Sequence, residues 1–355
     1  MSSNVFYELP TPAQELFGWP WTGNLDGISF DPLITWPKIS IVTPSFNQGK
    51  YIEETIRSVL LQNYPNLEYI IIDGGSTDES VSIIKKYEPW ITYWETEPDR
   101  GQSHAINKGL EKCTGEIFNW LNSDDSYLHD TFYNVANAFI ADPDLKVVSG
   151  FENHISSAGQ LSLYQGTVLA ETLEETIELC EISQPSTFFR LSCIMKVNGV
   201  SEDLHYIMDG EMWVKFLLMY GQVNFRKLKT TVVNFRFHEN SKTVSNSLVN
   251  NFLFERCSIV TDLQRFAGVH DDIVDYYVDT IYKSPKVYQL DRKWILNESV
   301  ITRRHLWLYF TQKYVMKQFR RNNRARAYWG IKQLMENRAF DYFLVKSILK
   351  LLWKR

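Results

Sequence analysis

With 355 residues, 44% of them hydrophobic and 22% charged, the chain has the composition of an ordinary globular protein, long enough for two or three structural units. No apolar run approaches the roughly 18 residues of a membrane span. The four scattered cysteines (Cys113, Cys180, Cys193 and Cys257) form no CxxC pair, which argues against a disulfide scaffold and fits a reducing compartment. The net charge of −5 conceals a division: residues 301–355 hold fourteen Lys/Arg against two acids, and the first 300 residues carry a net −17.

Residues 1–36 are rich in Pro, Trp and Gly and show no clean period, so they read as an irregular arm against a core. They have no basic n-region followed by an apolar h-region, and a cytoplasmic location is expected. A strand–helix rhythm then begins. "PKISIVTPS" is a β-branched run ending in turn residues, and "YIEETIRSVLLQ" places Ile52, Ile56, Val59 and Leu60 at helical spacing. "NLEYIIIDGGSTDES" predicts a second strand, "ESVSIIKKY" a helix, "WITYWE" a third strand, "GQSHAINKGLEKC" a helix and "GEIFNWLN" a fourth strand. A helix from about His129 to Ile140 and the strand "LKVVSG" follow. Such alternation implies βαβ crossovers and a mostly parallel sheet sandwiched by helices. Ligands of such sheets sit beyond the carboxyl ends of the strands. Those ends carry Thr43-Pro44-Ser45, Asp73 and Asn122-Ser123-Asp124-Asp125.

The second half is less regular. Residues 151–182 read as a strand and an amphipathic helix, and "DGEMWVKFLLMYG" reads as a helix closed by Gly221. "VNFRKLKTTVVNFRFHENSKT" predicts two strands and a polar loop, and helical patterns dominate from Leu248 onward.

Several of these residues have a structural and a chemical reading. Asp73 is either a turn acid or a carboxylate that accepts from a pyrimidine or ribose, with Gly74 and Gly75 allowing close approach. Asp124 and Asp125 either open an Asx turn or gather a divalent cation for a diphosphate. Asp209 fits an N-cap, with Met208 and Trp213 at staple positions, and it equally fits a general base; Glu211 is its rival. His238 and Lys242 become a candidate metal ligand and a candidate phosphate partner only if a cation lies nearby.

"ISIVTPSFNQGKYIEETIRSVLLQNYPNLEYIIIDGGSTDES", "EPDRGQSHAINKGLEKCTGEIFNWLNSDD", "QPSTFFR", "MDGEMWVKF" and "FRFHENSKT" stand in the order of the family 2 glycosyltransferases, which the chain resembles over roughly residues 37–245. The resemblance implies a GT-A fold over 37–245, preceded by the arm of 1–36 and followed by a helical region, 246–355, with a basic amphipathic tail. It implies inverting transfer of a sugar from a nucleotide-diphosphate donor, a UDP-sugar first, to an acceptor hydroxyl in cell-surface polysaccharide or glycolipid synthesis. By the same resemblance Thr43, Pro44, Ser45, Asn47, Asp73, Arg100, Gln102, Asn122, Ser123 and Asp124 face the nucleotide. Asp125 and His238 would hold Mn²⁺ or Mg²⁺, Lys242 a phosphate, and Asp209 would act as base. Gln184, Pro185, Ser186 and Trp213 would line the acceptor side. Asn122 stands where the family's motif usually has its first Asp, and Met208 where "ED" has its Glu; neither change removes a group the mechanism requires.

The tail interleaves basic and aromatic residues, which suits an anionic membrane surface and peripheral association better than nucleic acid, since the rest of the chain is acidic. A helical subdomain with a solvated basic face is the alternative. A sugar-1-phosphate nucleotidyltransferase would need a Gly-rich basic loop after the first strand. A haloacid-dehalogenase-type phosphatase would need DxD there. A non-catalytic nucleotide-binding module is the remaining rival.

Overall fold

The computed structural model describes residues 9–11, 16–22, 30–239, 241–242, 249–287, 293–339 and 345–348. The chain divides into two compact units: 1–169, 181–216 and 222–249 form the first, and 170–180, 217–221 and 250–355 the second.

The first unit is built on β1 (Ile39–Ser45), α1 (Ile52–Leu60), β2 (Leu67–Asp73), α2 (Ser80–Tyr87), β3 (Tyr93–Thr96), α3 (Gln102–Lys112) and β4 (Ile117–Trp120). These four strands are parallel, in the order β3-β2-β1-β4. The continuous apolar runs of β1 and β2 reflect a sheet covered on both faces, where alternation would leave polar groups buried. Ile52, Ile56, Val59 and Leu60 of α1 pack with Ile39, Ile41, Tyr69 and Ile71 in one core cluster. On α3, Gly109 is required by close packing, since a side chain there would run into Val42 of β1.

Beyond β4 the sheet becomes mixed. β5 (Ser126–Tyr127), α4 (Thr131–Ala141), β6 (Val147–Ile155), β7 (Leu161–Tyr164), β8 (Thr187–Arg190) and β9 (Phe225–Arg236) extend the order to β4-β8-β6-β9-β5, with β7 on β6. β8, β7 and β5 join antiparallel, while β6 and β9 run parallel. The segment expected to form two strands is therefore one twelve-residue strand, β9, and the irregularity lies within it, as extra residues between Lys227 and Val233. The register of β6 on β9 shifts between Ser149 and Phe151 and again before Glu152. α6 (Leu191–Lys196) and α7 (Met208–Tyr220) as far as Phe216 complete this part, and Gly221 ends α7 with φ +69°, its N–H on Leu217 O. Among the described residues of the arm, Pro10 and Pro20 carbonyls accept from the buried Arg57, and Trp19 Nε1 donates to Tyr127 O at 2.8 Å.

The second unit contains α5 (Leu173–Leu179), α8 (Val249–Phe266), α9 (Asp271–Tyr276) with a π turn at Tyr277–Tyr282, α10 (Arg303–Arg320) and α11 (Arg324–Glu336). α10 and α11 bury Leu306, Phe310, Tyr314, Val315, Ile331 and Leu334, and Gly330 lets them approach over Val315. The apolar residues expected to lie on a membrane are thus largely packed inside a helical hairpin, because two amphipathic helices can cover each other's apolar stripes. No helix among the described residues is long and apolar enough to cross a membrane. The end of the expected basic tail, 349–355, lies outside the described residues.

Candidate active site

The carboxyl ends of β1, β2 and β4 lie on one edge, with Ser45 in register with Asp73. Asp73, with no solvent exposure, takes four donors: Gly75 N at 3.1 Å, Ser76 N at 2.8 Å and Thr96 Oγ1 at 2.7 Å on Oδ2, and Ser76 Oγ at 2.5 Å on Oδ1. Of its two readings, these hydrogen bonds match that of a turn acid. Asp73 builds its own loop, because the N–H groups of a tight Gly-Gly-Ser turn converge on the nearest acceptor. Asn47 joins the same structure: its N–H donates to Ser76 Oγ at 2.7 Å and its Oδ1 accepts from Thr77 N at 2.9 Å. Thr43 is buried with its hydroxyl 3.1 Å from Tyr69 OH, Pro44 is buried, and the buried Ser45 Oγ has no hydrogen-bond partner among the described residues. Of these residues only Asn47 is exposed.

After β4 the two acids separate. Asp124 Oδ2 lies 2.8 Å from His238 Nε2, and the imidazole packs at 4.8 Å against Tyr51. Asp125 is 2% exposed; its Oδ1 accepts from Arg236 N at 2.9 Å and its Oδ2 has no partner among the described residues. Burial first, and then the neighbouring Asp124 carboxylate, push the Asp125 carboxyl well above the usual carboxylate range; the Arg236 N–H opposes them. Of the two acids it is Asp124 that meets His238, whereas the resemblance named Asp125 with His238 for the metal. The turn closed by Asp125 N on Asn122 O, just before β5 begins at Ser126, separates the two adjacent acids.

The remaining loops close on this pair. Gln102 Nε2 donates to Asn122 Oδ1 at 2.7 Å, and Gln102 Oε1 accepts from Lys242 Nζ at 3.0 Å. Lys242 also donates to His205 O at 2.9 Å. Ser123 is buried beside them. Arg100 is exposed and holds Glu202 Oε2 through Nε and Nη2 at 3.0 and 2.6 Å. Residues of four sequence-distant segments therefore meet: Arg100 and Gln102, Asn122 and Asp124, Glu202 and His205, and His238 and Lys242.

Asp209 lies in the first turn of α7, half-buried, with Oδ1 accepting from Gly210 N at 2.8 Å. The helix begins at Met208, one residue before the expected cap. Glu211 is buried and pairs with Lys215 at 3.2 Å. On the expected acceptor side the structure differs from the sequence reading. Gln184 donates to Asn119 Oδ1 and Trp120 O, both at 2.7 Å, while Asn119 Nδ2 donates to Pro185 O at 2.9 Å. Ser186 is fully buried and donates to Ser183 O. Trp213 is fully buried, stacked at 5.3 Å on Phe216. These four residues brace the strands and helix behind the site and give no side-chain surface to an acceptor.

Sequence reasoning passed over the support of the Asp124–His238 pair. Arg236 donates to Asp124 O at 3.1 Å and to Glu54 Oε1 at 2.7 Å, and its guanidinium sits 5.4 Å over the Tyr51 ring. Arg236 stands two residues before His238, a visible signal, but its partners Tyr51 and Glu54 are almost 200 residues away. Farther along β6 and β9, Lys227 donates to Ser149 Oγ, Gly150 O and Thr167 O, and burial pushes its ammonium down to about 8 against the opposing pull of Glu152.

No group of three or more His, Cys, Asp or Glu side chains arranged for a metal occurs among the described residues. Asp124 and His238 are nevertheless a two-donor set in contact, and Mn²⁺ or Mg²⁺ at a diphosphate takes few protein ligands, the phosphate oxygens supplying others. The residues present fit such an ion.

Residues 40–195 match the family model described as glycosyl transferase family 2. An uncharacterized glycosyltransferase of Rickettsia typhi is 30% identical over 193 residues, covering 51% of this chain and 59% of that protein. Another uncharacterized glycosyltransferase, of Mycobacterium tuberculosis, is 27% identical over 192 residues, covering 54% and 72%. Over 99 residues, 26% of this chain and 38% of the relative, the chain is 39% identical to a putative teichuronic acid biosynthesis glycosyltransferase, TuaG, of Bacillus subtilis. The match thus spans less than two thirds of the first of these relatives. Among solved structures, S. aureus TarS 1-349 in complex with UDP-GlcNAc aligns with a TM-score of 0.52 at 17% identity, over 86% of this chain and 93% of that one. That likeness is one of fold, and the fold is the expected GT-A sheet flanked by helices. The matched segment, residues 40–195, is thus that of glycosyl transferase family 2.

Proposed function

We propose that the protein transfers a sugar, with inversion, from a nucleotide-diphosphate donor to a hydroxyl of a saccharide or lipid-linked acceptor in polysaccharide synthesis. The observation that carries this reading is the Asp124–His238 pair, set where four loops meet at the strand ends. The UDP-GlcNAc complex of the similar TarS 1-349 and the putative teichuronic acid biosynthesis role of TuaG support a uridine donor and a cell-surface product.

In this reading the loop backbone beyond β1 and β2 receives the base and ribose, and Asn122, Gln102 and Lys242 border the diphosphate. Lys242 supplies a mobile-ended positive charge that exchanges His205 O and Gln102 for phosphate oxygens. Asp124 and His238 would hold Mn²⁺ or Mg²⁺, which when bound supplies positive charge for the departing diphosphate. Asp209 takes the proton of the acceptor hydroxyl as its oxygen bonds to the anomeric carbon; the bond from that carbon to the diphosphate breaks, and the diphosphate leaves with its electron pair. Glu211 is the lesser candidate because Lys215 already neutralises it. The exposed arginines of α10 and α11, such as Arg303, Arg320 and Arg324, would hold the protein electrostatically on an anionic leaflet.

Thermal denaturation with uridine, guanosine and thymidine diphosphates, each with Mn²⁺, Mg²⁺ or chelator, tests the site. Stabilisation by one nucleotide that chelator removes is the expected result; no shift with any nucleotide overturns the reading. Asp209→Asn should bind the same nucleotide and lose most turnover. Wild-type activity in that variant would pass the base role to Glu211.

A further inference from the structure

The ends of β6 and β9 and the edge strand β7 gather a cluster that the donor site does not use. His154 stacks on Tyr164 at 4.7 Å with 22° between the rings, and lies 5.5 Å from Phe235 and 5.1 Å from Phe237. Its Nε2 is 3.0 Å from Glu152 Oε2. Glu152 is 3% exposed, yet its Oε1 is buried with no hydrogen-bond partner among the described residues. A buried carboxylate oxygen without a donor costs about 1–3 kcal/mol, so the site has use for a donor that the chain does not supply. Tyr164, by contrast, is 46% exposed, and Phe235 and Phe237 are only half-buried.

Two features tie the cluster to the proposed reaction. Phe237 directly precedes His238, and its N–H donates to Ile155 O at 2.8 Å, which holds it at the mouth of the strand ends. The double register shift between β6 and β9 comes from extra residues in β9 before Val233, just ahead of Phe235 and Phe237; such bulges re-aim side chains beside functional sites. An open aromatic surface with a few polar groups at its edge has the chemistry of a small-molecule subsite. A pyranose matches it: the ring's C–H face lies on an aromatic plane, and its hydroxyls are donors for a carboxylate, directly or through a water.

We propose that Tyr164, His154, Phe235 and Phe237, with Glu152 at their edge, form a saccharide subsite that takes one pyranose of the acceptor. The assignment of that pyranose to the acceptor rests on the function proposed above; saccharide binding itself does not. The test uses the full chain on an array of immobilised bacterial surface glycans, with nucleotide-induced thermal shifts measured in parallel. Wild-type protein should bind at least one glycan, and Tyr164→Ala and Glu152→Gln should each weaken that binding about tenfold while leaving the nucleotide shift unchanged. Tyr164→Leu, which keeps an apolar cover on His154 but has no ring face, should behave like Tyr164→Ala at an unchanged melting temperature. Absence of glycan binding by the wild type, or equal binding by Tyr164→Leu, overturns the subsite. Variant-sensitive glycan binding without any nucleotide shift would keep the subsite and overturn the transferase reading.

Discussion

Two acidic strand ends share one edge of the sheet and have opposite fates. At the end of β2, Asp73 is surrounded by donors from its own loop and from Thr96. After β4, Asp125 has one backbone donor and an oxygen with none, and Asp124 has an imidazole. The same residue type in similar local sequence thus serves architecture in one place and leaves binding capacity in the other. The difference lies in the following residues: a Gly-Gly-Ser turn curls its N–H groups back on Asp73, whereas Asp125 is followed at once by β5, whose backbone pairs with β9.

The largest effect that would sharpen this contrast is on turnover. Asp124→Asn should reduce activity by about two to three orders of magnitude with the fold intact by circular dichroism, since it weakens charge stabilisation at the diphosphate. Activity within a few-fold of wild type would place the functional acid elsewhere. Next comes stability. Asp73→Asn sets an NH₂ against donors and should cost about 2–3 kcal/mol in urea unfolding, while Asp125→Asn should change stability by less than about 1 kcal/mol because its lone donor keeps an acceptor. Equal losses in the two variants would remove the distinction.

A smaller effect concerns Lys227. In the unfolded chain it holds its proton to about 10.5, and in the folded protein it releases it near 8. Between those values the unfolded state binds more protons, so stability rises with pH. Urea titrations from pH 8 to 10.5 should show that rise in the wild type and a flatter profile in Lys227→Met. The smallest expected change is from Arg100→Ala. Its pair with Glu202 is exposed, so stability should move by under about 0.5 kcal/mol; a larger loss would mean that the 100–102 loop helps to hold the fold.

Much of the first unit was legible. The β-branched run before Thr43, the helical spacing of Ile52, Ile56, Val59 and Leu60, and the polar residues at three strand ends are local patterns, and the corresponding elements form where those patterns place them. For Asp73 the sequence left a turn acid and a ligand-facing acid open, because its donors belong to a turn whose curl is decided by backbone angles, Gly75 at φ +84° among them. Gln184 and Trp213 were placed at an acceptor surface because their motif neighbours are functional, yet both are buried in the support behind it.

By itself, then, the sequence determined the alternation of strands and helices, the edge on which ligands should gather and the residue types available there, because hydrophobic period and turn chemistry act over a few residues. Only the tertiary structure decided which acid faces outward. The pairing of Asp124 with His238 spans more than a hundred residues, and the grouping of Glu152, His154, Tyr164 and Phe237 depends on a bulge and on strand register. Register is set by the summed packing of whole strands, and a one-residue slip reverses every side chain, so no short stretch of sequence carries it.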